Sequence, residues 1–126
     1  MRYLLVLLLG FGSLSWMPAQ ASQYVYLNPP FTVNFGSIGK LKYLRTEIAL
    51  KVDSEEAAEK IRAHMPYLRN DLILLFSAQE PEIINTPQGR ESLRQVALDN
   101  LRSRMLELED ELLIEALYFS NFVVQN

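Results

Sequence analysis

Apolar and polar residues alternate from Lys40 to Val52, with Leu44, Thr46, Ile48, Leu50 and Val52 on one face and Tyr43, Arg45, Glu47 and Lys51 on the other. That period of two predicts a half-buried strand. The opposite charges of Arg45 and Glu47, two apart, mark its solvated face. Phe31 to Phe35 alternates in the same way, and Gly36 and Gly39 follow at positions where a hairpin loop needs positive φ. Ser22 to Asn28 is short and ends in Pro29-Pro30, which lack amide hydrogens, so residues 22–30 read as a lead-in linker to a domain at 31–126.

The pattern then changes to spacings of three and four. Asp53 fits an N-cap with Glu56 completing a capping box, and Ile61, Met65, Leu68, Leu72 and Leu75 form one apolar stripe. Pro66 interrupts it, which allows one kinked helix or two short consecutive ones. Gln79 to Asn85 reads as a connection, and Thr86-Pro87 signals a new helix as N-cap and first helical residue. Leu93, Val96, Ala97, Leu101, Met105 and Leu108 are its expected buried stripe, with Arg90 and Arg94 one turn apart on a flank. Acidic residues at 107, 109, 110 and 111 oppose the helix dipole, so fraying is expected there.

The last stretch, Leu112 to Gln125, is apolar at both parities. Leu112, Ile114, Ala116, Tyr118, Phe122 and Val124 share one face and Leu113, Leu117, Phe119 and Val123 the other. Such a segment predicts a strand covered on both sides, away from an exposed edge. The fold class is therefore α+β: a small antiparallel or mixed sheet with helices packed on one face. About three strands leave the other face of the last one uncovered, which points to self-association through Leu117, Phe119 and Val123, with Arg90 and Arg94 as further partner-interface candidates.

Composition refines this picture. The 126 residues suffice for one core. Met1-Arg2, the apolar run from Tyr3 and the Ala19-Gln20-Ala21 ending match a secretory signal over 1–21, the alternative being a short uncleaved membrane anchor. No cysteine is present, so stability in an oxidising compartment would rest on the core alone, as in a periplasmic domain. The formal charge of −3 becomes −4 without Arg2, which disfavours nucleic acid as a partner.

Residues for catalysis are sparse. A chain without cysteine has no thiol nucleophile or thiolate metal site, and His64 alone cannot supply a two-histidine ligand set. The carboxylates at 107–111 lack the spacing and central glycine of a calcium loop. We expect no catalytic, cofactor-binding or metal-binding residues, and no enzymatic activity.

Several stretches together resemble the periplasmic domain of the FliL family of flagellar basal-body-associated proteins. They are Tyr26-Leu27 leading to Pro29-Pro30-Phe31-x-Val33-Asn34; Lys42-Tyr43-Leu44-Arg45; His64-x-Pro66-x-x-Arg69-x-x-Leu72; Thr86-x-x-Gly89-x-x-x-Leu93-Arg94; and Tyr118-Phe119-Ser120-x-Phe122-Val123-Val124-Gln125. The resemblance implies a stomatin-like domain near the inner membrane that forms homo-oligomeric rings around a MotA/MotB-type stator and supports rotation, swarming and chemotactic motility. The family's basic cytoplasmic start and full membrane span are replaced here by the short segment at 1–21. A different reading is a small periplasmic ligand- or cell-wall-binding module with a cleft between helices and sheet.

Overall fold

The computed structural model of the chain describes Gly10, Gly12 and residues 23–125; the expected signal or anchor at 1–21 otherwise lies outside the described residues. Its elements are β1 (Gln23–Phe35), β2 (Lys42–Val52), α1 (Glu55–Ala63), α2 (Met65–Ser77), α3 (Pro81–Ile84), α4 (Pro87–Glu109) and β3 (Ala116–Gln125). The strands form one antiparallel sheet in the order β1-β2-β3. The helices cover one face of it, as the α+β expectation required. Val25, Leu27, Phe31, Val33 and Phe35 of β1 and Leu44, Ile48, Leu50 and Val52 of β2 point into the core they share with Leu68, Leu72, Phe76, Leu101 and Met105.

Residues 23–30 of the expected linker belong to β1. β1 already pairs at Gln23↔Val52 and continues to Leu27↔Ile48, resuming at Phe31↔Thr46 after a register shift. Pro29 and Pro30 occupy the shift, with a cis bond between Asn28 and Pro29. Prolines are tolerated because β1 is an edge strand, and the missing amides leave no central ladder unpaired. The shift inserts two residues, so inward and outward positions of β1 keep their parity across it.

β3 departs from expectation in the opposite way. Glu47 pairs with Asn121 and Ile48 with Phe119, so Ser120 is an extra residue on β3. One inserted residue exchanges the faces. Leu117 and Phe119 before the bulge, and Phe122 and Val124 after it, therefore all pack toward the core, while Tyr118 and Val123 are exposed. The strand is an edge strand and is not buried on both sides. Thr46, fully buried, donates its hydroxyl to the Asn121 carbonyl at 2.5 Å, which anchors the bulge and satisfies a polar group in the core.

The helices differ at their ends. Ser54, not Asp53, caps α1 by accepting from the Ala57 amide. The apolar stripe breaks at His64 into two helices, and Pro66 sits in the first turn of α2 where its missing amide is harmless. The expected connection at 79–85 contains the single turn α3. Val96 is exposed and Leu98 buried in its place. The acidic end of α4 is held instead of frayed: Glu109 meets His64 at 2.7 Å and Glu111 meets Lys60 at 3.5 Å, and Asp110 closes the helix at φ 58°.

Candidate functional site

Of the residues singled out in the sequence, Arg90, Arg94, Leu117 and Phe119 meet where the first half of α4 crosses the edge strand β3, whereas Val123 lies on the opposite face of the sheet, beside Arg45. Thr86 starts the helix by accepting from the Gly89 amide at 2.9 Å, and its hydroxyl donates to the Ile83 carbonyl. Gly89 is buried there, and a Cβ on it would overlap the Ile83 carbonyl oxygen. The cap fixes α4 against α3 and so aims Arg90 and Arg94 at β3.

Arg90 donates Nε to the Ile84 carbonyl at 3.2 Å and lays its guanidinium 4.9 Å from the Phe122 ring centroid. Arg94 donates to both carboxylate oxygens of Glu91 and reaches the Leu117 carbonyl at 3.3 Å. The hydrogen bonds from Arg94, then from Gln95, hold the Glu91 carboxyl down at about 2, and the Arg94 guanidinium is raised in turn by Glu91. Both arginines thus clamp β3 through its backbone and an aromatic ring.

Beneath them runs a row of rings: Phe31 meets Phe76 edge-on at 5.7 Å, Phe76 meets Phe119 at 6.2 Å, and Phe119 meets Phe122 at 5.0 Å. Arg69 lies 4.2 Å from the Phe31 ring at the far end, its pKa lowered by burial. Phe119 and Phe122 are half-buried, so the row emerges at the β3 edge.

Of the expected interface residues, Arg90 and Val123 are exposed, Arg94 and Phe119 are half-buried, and Leu117 is fully buried. Leu117 is a core residue and is corrected as such: the bulge comes after it, so its parity is that of the helix-covered face. Phe122 belongs to the flank and not to the face its period predicts; the extra residue Ser120 makes that exchange, and nothing in the sequence pattern marks it. The role of Gly89 could have been suspected from its place three residues after the cap.

Among the described residues no group of three or more histidines and carboxylates lies together as a metal ion would need, and no helix is long and apolar enough to cross a membrane. One cleft of about 510 Å³ opens between the start of α1 and Glu111 to Leu113, and another of about 440 Å³ between α2 and α4. The Arg90/Arg94 flank lines neither.

The described residues thus form an α+β domain whose row of aromatic rings emerges at one sheet edge. The family model described as "Flagellar basal body-associated protein FliL" matches residues 24–125, nearly the whole described domain. The chain belongs to the FliL family. It is 28% identical over 108 residues to the flagellar protein FliL of Aquifex aeolicus, covering 86% of this chain and 65% of that one. It is 31% identical over 72 residues to the flagellar protein FliL of Escherichia coli K12, covering 57% of this chain and 46% of the relative. The chain spans about half to two thirds of the length of these relatives.

Proposed function

We propose that this protein is a non-enzymatic accessory of the flagellar motor that self-associates beside the basal body in the periplasm and contacts stator or basal-body proteins to support rotation, swarming and chemotactic motility. The observation that carries the reading is the coincidence of the family match at 24–125 with the folded unit at 23–125. The whole matched segment is one domain, and the half-buried rings that reach its β3 edge support the reading of a contact surface there.

Phe119 and Phe122 at the β3 edge, with Arg90 beside them, form the contact surface, and Val123 lies on the opposite face of the strand. Removing the remaining apolar area of these side chains from water contributes about 25 cal/mol per Å². Association itself costs roughly 4–15 kcal/mol, so a patch of this size gives weak, concentration-dependent assembly. Gathering subunits around a stator raises their effective concentration and completes it.

The test is complementation of a strain lacking the gene. The parent chain restores swarming; Arg90→Glu, folded and expressed at the parent level, restores it poorly. Full swarming with that variant, or no defect on deletion, contradicts the proposal.

A further inference from the structure

The sheet face turned away from the helices separates two kinds of ring. Among the described residues every phenylalanine lies in the core or packs against it, whereas Tyr24, Tyr26, Tyr43 and Tyr118 all stand on the open face. Tyr26, Ala49 and Tyr118 form one row across the three strands. The tyrosines are 61% and 44% exposed, while the alanine between them is only 6% exposed, so its methyl group is the floor between two standing rings. No tyrosine of this face pairs with another aromatic ring, so their faces are open.

We infer that this row is a stacking platform for a neutral, β-linked sugar chain. Three features select that occupant. The row is an exposed strand face that lines neither cleft described above, which suits an extended ligand better than a small molecule needing an enclosing pocket. Its charged side chains balance, Arg45 beside Glu47 and Lys51 at 3.8 Å from Glu115, so it offers nothing to a polyanion or a charged lipid surface. Three strands about 4.8 Å apart and ten residues at about 3.3 Å each make a face of roughly 500 Å², below the ~800 Å² per partner of a stable protein interface.

A sugar chain needs less width and uses the groups present. The two rings stand about two strand spacings apart, roughly 10 Å, which suits alternate sugar rings of a β-linked chain. Tyrosine presents a rigid apolar face for the C–H side of a sugar and a hydroxyl for its polar rim, at small entropic cost.

Titration of the full chain with a soluble oligomer of β-linked N-acetylglucosamine, followed by amide NMR and calorimetry, tests the inference. Saturable binding is expected, with shifts concentrated at Tyr24, Tyr26, Ala49 and Tyr118. Tyr26→Ala and Tyr118→Ala should each weaken it about tenfold, near the upper end for one lost aromatic contact, while Tyr67→Ala on α2 should bind as the parent does. Absent binding, shifts scattered over the helices, or equal weakening by Tyr67→Ala overturns it. So does a result in which the tyrosine variants change only sedimentation, since the face would then bind a second copy. If a variant fails to fold, the shift map of the parent chain decides alone.

Discussion

Arg90 holds its guanidinium 4.9 Å from the centroid of the Phe122 ring, joining the first turn of α4 to the far end of β3. This contact lies across the Ser120 bulge from Leu117, whose carbonyl receives Arg94. The two arginines therefore brace both halves of an irregular edge strand.

A double-mutant cycle on Arg90→Ala and Phe122→Ala should give a coupling of about 0.5–1 kcal/mol, the range for a cation over an aromatic ring at an exposed site. Denaturant unfolding measures it. A coupling of zero would mean that the two residues are neighbours without a shared interaction.

The Glu91 carboxyl should titrate at about 2 in the parent, because Arg94 and then Gln95 donate to its charged form. Its folded value lies below the ordinary 4.5. The contribution of the pair to stability is therefore complete above pH about 4.5 and lost as pH falls through about 2. Carboxyl NMR on the parent and on Arg94→Gln checks this: the variant should return Glu91 toward 4.5, and a parent value already near 4.5 contradicts the clamp.

Leu117→Ala should lower stability by about 2–5 kcal/mol, as a fully buried leucine does when truncated, while Val123→Ala should change it by about 0.5 kcal/mol or less. Thermal and urea unfolding of the two variants compare them. Equal losses would place both residues in the core and remove the exposed edge.

The period-two pattern made β2 legible, and Thr86-Pro87 made the start of α4 legible, because both signals act within a few residues. The bulge was not legible. Ser120 is an ordinary strand residue, and only the pairing of Glu47 with Asn121 and Ile48 with Phe119 reveals that it is extra. β1 was shortened for a related reason: Pro29-Pro30 ends a central strand, but an edge strand passes through it. Arg90 and Arg94 could be grouped by their spacing, yet their targets, Phe122 and the Leu117 carbonyl, are set by how α4 crosses a strand more than twenty residues away.

Gly89→Ala should be severe, about 1–3 kcal/mol or more, since a methyl group has no room against the Ile83 backbone and α3 must move. Circular dichroism melts provide the measurement. Parent-like stability would show that the α3–α4 junction is loose.

His64→Ala removes a 2.7 Å contact with Glu109 and should cost about 1 kcal/mol while leaving swarming intact. Stability and motility are read separately on the same variant. A stable variant that fails to swarm would give the imidazole a functional role.

The central claim is that the α4–β3 flank is the working surface of a motor accessory. A photo-crosslinking residue placed at Phe122, in motile cells, tests it most directly. The account predicts adducts with a second copy of the chain and with a basal-body component, both diminished by Arg90→Glu, and none from the same probe at Tyr67. Adducts at Tyr67 and none at Phe122 would contradict it.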